Sequence, residues 1–483
     1  MAMTYTSAAD RAGRRIVSSP AVVDVVSLLA TCTALVAVLA LTLAYHGRMQ
    51  RLGTPGAGSA PPANLATVTD AAALESALAP AFTAPADRRL AARQLAAFLA
   101  ASRQAGDPLS NVGAILRAEV PAATIDATPG LAEFAVRLRT AREAAARRGA
   151  APPVQVSVLT ASDLALVKPG LTVRTEAEFR WLVLRWTAFF FAGFAAVGLV
   201  WRLTRGRGDL LLLSAALLLT ALGFAALLSR ADPLRDTPLF VRFVEGVLLG
   251  LVAAMACSLV DFRKTSLLRL RYLPLVAAFG LSLLLLVFGS GPGSSTAKVN
   301  LGPVQPLEAI RLLLALVLAG YFARTWELLR QVHDTTLLPP AAPSWLRLPR
   351  IGHVLPVLGG VGLALIFFFL QKDLGPALML TCVFLALYAV ARGGVGAALA
   401  GTAVLVAGFY AGYRLHLSET LATRVAMWQA PWDNTVRGGD QVAHAVWALA
   451  TGGVVGTGFG LGETRYLPAG QTCLLYTSDA ADD

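Results

Sequence analysis

Charge and cysteine are both scarce in this sequence. Only 14% of the 483 residues are Asp, Glu, Lys or Arg, and the chain has 4 cysteines and 5 histidines. It contains no CxxC pair or disulfide framework, and its histidines lack the spacing of metal ligands. Cys32, Cys257 and Cys382 lie within apolar runs, where we expect small buried side chains. The sequence therefore offers neither a redox motif nor a metal-binding motif.

Apolar sequence dominates the chain instead. Hydrophobic residues make up 56% of it and the mean hydropathy is +0.63, which excludes an ordinary soluble domain. A bilayer core takes about 20 apolar helical residues per crossing, and lipid offers no hydrogen bonds to a bare backbone, so long apolar runs should be helices. The sequence predicts an all-α polytopic membrane protein with about nine transmembrane helices, at 22–45, 181–202, 210–229, 239–260, 273–289, 306–326, 353–370, 376–391 and 397–415.

The basic residues indicate the orientation in the membrane. A net charge of +12 would also suit a nucleic-acid-binding protein, but the cations recur in every second short loop. This is the positive-inside pattern, so we expect no nucleic acid as a partner and place the N-terminus in the cytoplasm. The cations form four groups: Arg11, Arg14 and Arg15; Arg202, Arg205 and Arg207; Arg263, Lys264, Arg269 and Arg271; and Arg324, Arg330, Arg347 and Arg350.

Residues 46–180, between the first two runs, differ in composition from the rest. They include the Gly/Pro-rich linker GTPGAGSAPPAN, then Ala-rich stretches of helical periodicity, then short β-branched stretches that suit strands. On the predicted topology this insert is extracytoplasmic and α-rich. It has no residues that suggest a catalytic site, and a weakly folded spacer is an alternative. We interpret the run before it as an anchor rather than a cleaved signal peptide.

The last residues, 473–483, are expected not to be native sequence. Back-translation of CLLYTSDAADD allows a transposon-end adaptor of the kind used in sequencing libraries. We therefore expect a truncated fragment whose natural sequence ends near Thr472 and assign no role to the residues of the tail.

The segment FFFLQKDLGPALML, residues 367–380, places two charges between apolar runs. An ionisable side chain at membrane depth costs about 2.5 to 3.5 kcal/mol on insertion scales, so it is retained where it reaches water, a partner or a substrate. Counting the loops puts Asp373 at the outer interface. Asp373 could cap a helix that opens near Gly375 and Pro376, and this purely structural role is an alternative to a catalytic one.

Three segments, in order, resemble a known family. LQKDLGPALMLTCVFLALYAVARGG, from residue 370, resembles the QPDLGTA segment of the SEDS (shape, elongation, division and sporulation) family of RodA-, FtsW- and SpoVE-like peptidoglycan glycosyltransferases. NLGPVQPLEAIRLLLALVLAGYFARTWELL, from residue 300, is similar to the stretch that opens the family's fourth helix. Residues 424–472 are similar to its large outer loop. The resemblance covers about 205–472.

This resemblance implies an inverting glycosyltransferase of the bacterial inner membrane. Such an enzyme polymerises lipid II at the outer face, beside a class B penicillin-binding protein, in cell elongation or division. The resemblance makes no cofactor certain and leaves a divalent cation open. The alternative is a non-catalytic SEDS-like scaffold or lipid-handling protein that recruits a cell-wall partner.

The matched positions supply the candidate site residues. Asp373 takes the place of the family's essential acid, and sugar transfer needs a base for the acceptor hydroxyl. Lys372 would keep Asp373 ionised or contact a diphosphate, unless it only snorkels to the interface. The other substrate-binding candidates are Arg424 and Arg437, which could instead contact headgroup phosphates; Gln441, which could be an ordinary loop residue; and Glu308, which most simply forms an ion pair with Arg311.

The chain also departs from the family pattern. Leu307 replaces the Ser of the family's QPSE, Asp440 stands before Gln441 where an aromatic residue is usual, and TAKVNLG lacks the usual Arg-Trp pair. These departures leave the predicted fold unchanged and bear on substrate handling. GGVVGTGFGLG, residues 452–462, lacks the preceding strand and the lysine of a nucleotide-binding loop, so we expect close backbone approach within a re-entrant loop.

The predicted organisation follows from these segments. In chain order we expect a cytoplasmic N-terminus with the first transmembrane helix (1–45), the extracytoplasmic insert (46–180), an extra transmembrane helix (181–204), a SEDS-like membrane core (205–416), a large extracytoplasmic loop (417–472) and the non-native tail (473–483).

Overall fold

The computed structural model divides the chain into two compact units. The first comprises residues 1–259 and 454–462, and the second comprises 260–453 and 463–483. The structure describes residues 20–51, 62–107, 109–204, 209–230, 232–259, 273–291, 298–302, 305–331, 351–371, 374–392, 395–417, 419–436, 439 and 441–462.

The described part of the first unit combines long apolar helices with a small mixed domain. Its α-helices are α1 Pro20–Arg51, α2 Ala71–Ala77, α3 Pro85–Gln104, α4 Ala122–Ala127, α5 Glu133–Arg147, α6 Ala161–Val167, α7 Glu176–Leu203, α8 Leu210–Arg230 and α9 Leu239–Leu259. Its strands are β1 Ala63–Asn64, β2 Glu119–Pro121, β3 Gln155–Ser157 and β4 Leu171–Thr172, and short 3₁₀ helices lie at Val112–Arg117 and Lys168–Gly170.

The described part of the second unit is helical. Its elements are α10 Leu273–Phe288, α11 Pro306–Gln331, α12 Ile351–Leu370, α13 Leu374–Arg392, α14 Gly396–Arg414, α15 Glu419–Gln429 and α16 Gln441–Gly452.

Each apolar run predicted to cross the membrane lies on a helix of the structure. Among the described residues, five helices are long and apolar enough to span a bilayer, namely α1, α7, α8, α9 and the described part of α11. Helices α14 and α15, which meet at a bend of 97°, would add a sixth span if they form one broken crossing, and the described apolar parts of α10, α12 and α13 are shorter. The all-α, multi-pass membrane fold is confirmed, whereas the number nine stays a prediction.

Helix α1 packs along α8 through small side chains. Ala37, Ala40 and Ala44 are buried on one face of α1, and Ala221 and Ala225 are buried on α8. Small residues allow close approach of helix backbones, which is a main source of helix association in lipid. The first apolar run is therefore an integral part of the helix packing in the first unit.

The three cysteines of the apolar runs are exposed on their helices rather than buried as expected. The expectation was wrong because it treated the helices as if they lay in a soluble core. On a membrane-spanning helix an exposed face meets lipid tails, which are as apolar as a protein interior, so a small apolar side chain is not driven inwards.

The insert folds around a hydrophobic core of its own. On α3, Ala91, Leu95 and Leu99 recur every four residues and are buried together with Phe134 and Leu138 of α5. This spacing gives each helix one apolar face. The segment is a packed domain and not a weakly folded spacer.

A buried carboxylate joins two helices of this domain. Asp87, on α3, is fully buried. Its carboxylate accepts hydrogen bonds from the backbone amides of Ala132 at 2.9 Å, Glu133 at 3.2 Å and Phe134 at 3.1 Å. The first amides of a helix lack partners within it, so Asp87 caps the start of α5 from a different element of the fold.

The β-branched stretches late in the insert do form strands, but each pairs with a strand from earlier in the chain. Strand β3 pairs antiparallel with β2, with Val156 opposite Val120. Strand β4 pairs parallel with β1, with Leu171 opposite Ala63. The pairing closes the end of the domain onto its beginning.

The insert is fixed to the connection between α8 and α9, residues 231–238. The backbone amide of Val112 donates to the carbonyl oxygen of Arg235 at 2.8 Å, and that of Val173 donates to Leu234 at 2.8 Å. These bonds join backbone to backbone, so they fix both position and orientation.

The side chain of Arg235 strengthens the same attachment. Its Nε donates to the carbonyl oxygens of Lys168 and Leu171, both at 2.9 Å, and its Nη2 donates to that of Pro169 at 2.6 Å. Nη1 pairs with Asp232 within the connection at 3.0 Å. The planar guanidinium suits this role because its donors point in fixed directions.

Arg174 forms a second link between the two segments. Its guanidinium donates to the carbonyl oxygens of Pro233 at 2.9 Å and Asp236 at 2.6 Å in the connection, and to that of Ser110 at 2.6 Å within the insert. Burial lowers the pKa of this guanidinium, and the nearby carboxylates oppose the shift. Arg174 thus adds two carbonyl contacts to the connection, in addition to the backbone bonds.

Candidate functional site

The structure describes some of the predicted site residues. Those that lie outside the described residues are Lys372, Asp373 and Arg437, together with Asp440 among the departures. Gln441 is the first residue of α16 and is described by its backbone alone. Glu308 and Arg424 are described with their side chains.

The two charges at 372–373 are flanked by helix ends, as predicted. Helix α12 ends at Leu370, and α13 begins at Leu374, which places Pro376 in its first turn. Proline is tolerated there because the first amides of a helix have no helical partner. The predicted acid therefore falls between the end of one apolar helix and the start of the next.

Gln371, directly before these charges, is fully buried. Its Nε2 donates to the carbonyl oxygen of Ser282 on α10 at 3.3 Å, while its Oε1 makes no hydrogen bond with a described residue. Ser282 is buried as well. A buried amide with an unused acceptor is costly unless something compensates it, and this one lies directly before residues 372–373 in the chain.

Lys298 holds the same junction from another segment. Its backbone amide donates to the carbonyl oxygen of Gln371 at 3.0 Å. Its Nζ donates to the carbonyl oxygen of Leu286 in the last turn of α10 at 2.5 Å. A cation is favoured at that end of a helix because the macrodipole and the unpaired carbonyls are negative there.

The segment around Lys298 is further held by an isolated antiparallel bridge between Ser290 and Asn300. The backbone amide of Ser290 donates to Asn300 at 2.9 Å, and that of Asn300 donates back at 3.0 Å. Residues 298–300 thereby connect the end of α10 with Gln371, which follows the end of α12, through hydrogen bonds.

Glu308 and Arg311 form the expected ion pair at the start of α11. Arg311 Nη1 lies 2.7 Å from Glu308 Oε1. The Glu308 side chain is 54% exposed and that of Arg311 is 20% exposed, so one carboxylate oxygen remains open to a ligand. On the other face of the helix, Leu307 and Ile310 are buried in the core of the second unit.

Arg424 is exposed on α15, whereas Leu421 and Val425 on the same helix are buried. Trp428, one turn further on, and Trp432 are also exposed. Tryptophan and arginine suit the headgroup level of a membrane. Among the described residues no hydrogen bond or ion pair joins Arg424 to Glu308 or Gln371, so the structure presents Arg424 as an available cation without placing it against them.

Sequence reasoning did not single out Gln371 and Lys298. Gln371 is the first residue of the matched QKDLG motif. Its position between an apolar run and a charged residue could have indicated a buried polar side chain. Lys298 lies in the TAKVNLG stretch, which lacks the family's usual Arg-Trp pair, so the family pattern gave no reason to select it. No group of three or more His, Cys, Asp or Glu in the described part of the chain could hold a metal ion.

Comparison with known proteins identifies relatives. A family described as cell cycle protein, FtsW/RodA/SpoVE, matches residues 209–476, which is more than half of the chain. The peptidoglycan glycosyltransferase RodA of Mycobacterium leprae is 26% identical over 329 residues, covering 65% of this chain and 66% of that protein. The probable peptidoglycan glycosyltransferase FtsW of Xanthomonas oryzae pv. oryzae is 25% identical over 279 residues, covering 56% of this chain and 53% of that protein.

The RodA of Mycobacterium tuberculosis H37Rv is 29% identical over 127 residues, covering 26% of this chain and 27% of that protein. The chain therefore spans 66% or less of the length of these relatives. No solved structure matches the chain. Helix α1, the insert and α7 precede the matched residues.

Proposed function

Since this chain belongs to the FtsW, RodA and SpoVE family of cell cycle proteins, we propose that it is a peptidoglycan glycosyltransferase that polymerises lipid II. The observation that carries the proposal is the junction between α12 and α13, where the buried Gln371 precedes Lys372 and Asp373. Two charges that follow the hydrogen-bonded Gln371 in the sequence, with apolar helices on both sides, suit chemistry on a lipid-linked substrate.

In the proposed reaction Asp373 acts as the general base. Its carboxylate takes the proton of the acceptor sugar's hydroxyl as that oxygen forms a bond to the anomeric carbon of the donor. The bond from that carbon to the diphosphate breaks at the same time, and the diphospholipid leaves with the electron pair. Attack opposite the leaving group inverts the configuration. A carboxylate partly removed from water is a stronger base, because desolvation raises its pKa.

The leaving diphosphate needs cations or backbone donors. Arg424 is the described candidate, because it is exposed on α15. Lys372 precedes the base in the sequence, and Arg437 and Gln441 follow Arg424 in the predicted outer loop. Glu308 offers a hydrogen-bond acceptor for a sugar hydroxyl through the part of its carboxylate that remains exposed.

The proposal includes a location and a partner. The basic groups of every second loop support a cytoplasmic N-terminus in the bacterial inner membrane, which places the α12–α13 junction at the outer face. A class B penicillin-binding protein would cross-link the strands that this chain polymerises, in elongation or division. The docked insert offers a rigid extracytoplasmic surface for such a partner, which also keeps the scaffold alternative open to test.

The deciding experiment is polymerisation of purified lipid II by the full-length chain in liposomes. Asp373→Asn and Asp373→Ala are expected to reduce glycan synthesis by at least about 100-fold, the lower end of what a positioned base contributes. Asp107→Asn, which changes an exposed acid of the insert, is the matched control and should retain activity. Normal turnover by either Asp373 variant would refute its role as base.

A labelling experiment tests the predicted location independently of activity. Asp373→Cys, in a chain whose own four cysteines are replaced, should react with a membrane-impermeant thiol reagent added outside the inner membrane. Reaction from the cytoplasmic side alone would contradict the proposal. Failure of the unmodified chain to polymerise lipid II, with partner recruitment retained, would favour the scaffold.

A further inference from the structure

The end of α1 touches the Gly-rich segment 454–462 backbone to backbone. A β-carbon built on Gly47 would overlap the carbonyl oxygen of Phe459. One built on Gly460 would lie 2.5 Å from the carbonyl oxygen of Ala44 and 2.7 Å from the amide nitrogen of Arg48. Real β-carbons do not come so close to backbone atoms, so the contact requires glycine on both sides.

The backbone conformation of the segment supports the same reading. Gly460 has a φ of +77°, in the left-handed region that other residues rarely adopt. Arg51, in the last turn of α1, extends the contact, because its Nη1 donates to the carbonyl oxygen of Gly462 at 3.4 Å. Gly47 and Gly460 are thus required by space, and Gly460 by conformation as well.

The position of α1 is itself fixed by its neighbours. Its face with Ala40 and Ala44 is buried against α8, and Tyr45 stacks on Phe179 of α7 with ring centroids 6.2 Å apart. The end of α1 is therefore held in place by its packing against α7 and α8 and is not a free helix terminus.

We propose that α1 is a built-in docking partner for the Gly-rich part of the outer loop, with Gly47 and Gly460 as positioning residues. Segment 454–462 belongs to the residues that match the family, whereas α1 precedes them. The N-terminal extension thereby holds a loop segment of the enzyme from within the same chain. Its effect on catalysis rests on the proposed function, but the docking contact does not.

The contact is tested by cross-linking in the full-length chain. Benzoylphenylalanine at position 51 should, on illumination, form an intramolecular cross-link to 454–462 that mass spectrometry locates. Gly47→Val and Gly460→Val are each expected to reduce the cross-link at least fivefold. Gly250→Val is the matched control, because a β-carbon at Gly250 on α9 meets nothing within 4 Å.

The double variant distinguishes docking from general damage to the fold. Because both substitutions open the same crossing, Gly47→Val with Gly460→Val should lower the cross-link and the polymerisation rate little further than either alone. Additive losses, an absent cross-link in the unmodified chain, or a Gly47→Val chain that cross-links normally would each overturn the inference. A cross-link that is present and lost as expected, in a chain that never polymerises lipid II, would uphold the docking and refute the proposed function.

Discussion

The backbone amide of Lys298 donates a hydrogen bond to the carbonyl oxygen of Gln371 at 3.0 Å. This bond joins residues 298–300, which follow α10, to the last described residue before the proposed base. The side chains of the same two residues also bind carbonyl oxygens of α10, Lys298 on Leu286 and Gln371 on Ser282. Two of these bonds hold Gln371 directly and the third attaches Lys298 to α10, so the position of Gln371 depends on groups far away in the sequence.

Gln371→Leu should impair catalysis more than it impairs folding. Leucine keeps the volume of the buried side chain and removes the unused Oε1, but it releases the carbonyl of Ser282 and loosens the backbone before Asp373. Misplacement of a catalytic group by about 1 Å can reduce a rate about 100-fold. We expect a loss of roughly tenfold to 100-fold in lipid II polymerisation, measured as initial rate per membrane-inserted chain.

The matched control for this prediction is Thr381→Val. Thr381 Oγ1 donates to the carbonyl oxygen of Ala377 within α13, so its removal also deletes a side-chain bond to a carbonyl, but one internal to a helix. The control should polymerise at the normal rate. Equal losses in Gln371→Leu and Thr381→Val would show that the effect is general.

The sequence was sufficient to predict the membrane helices. In lipid the backbone amides and carbonyls of a long apolar run must form hydrogen bonds with each other, and a helix achieves this. The sequence was also sufficient for the end of α12 at Leu370 and the start of α13 at Leu374, because a polar group and two charges interrupt the apolar pattern of the sequence between them. It could not show that Gln371 is buried, since that depends on Ser282 and Lys298, which are more than 70 residues away in the chain. Hydrogen-bond partners at such separations leave no periodic signal.

The attachment of the insert was hidden for the same reason. Its core could be expected from the spacing of Ala91, Leu95 and Leu99 on α3. The residues that attach it, Arg174 and Arg235, look like ordinary basic residues near membrane helices. Both donate hydrogen bonds to backbone carbonyl oxygens. Every residue has such a carbonyl, so the sequence does not show which ones accept, and only the folded chain shows the link.

Arg235→Ala should release the insert from the connection between α8 and α9. It removes three bonds to the carbonyl oxygens of the 168–171 segment, which together contribute about 3 kcal/mol if each contributes about 1 kcal/mol. Local opening should then be roughly 100-fold more frequent. Hydrogen exchange of the Val112 and Val173 amides should quicken accordingly, as measured by mass spectrometry on the full-length chain.

This readout is informative because the carbonyl acceptors of those two amides survive the substitution. Val112 donates to the backbone of Arg235 and Val173 to that of Leu234, so faster exchange means separation of the segments and not loss of an acceptor. Arg139→Ala, at an exposed position on α5, is the control. Unchanged exchange in Arg235→Ala would mean that the backbone bonds and Arg174 suffice to hold the domain.

Leu307→Ala tests whether the departure from the family's serine is a packing feature. Leu307 is 1% exposed in the core of the second unit, whereas Leu312, on the same helix, is 63% exposed. In a membrane the transfer of an apolar side chain from lipid to protein contributes little, so the cavity left behind should dominate the loss, at about 2 kcal/mol. Leu312→Ala faces outward, leaves no cavity and should unfold like the unmodified chain in detergent.

Leu307→Ser adds an unsatisfied hydroxyl to the same cavity, so it should unfold more readily than Leu307→Ala and polymerise lipid II no faster. If Leu307→Ser instead raised turnover, position 307 would contact substrate and the packing interpretation of Leu307 would be wrong.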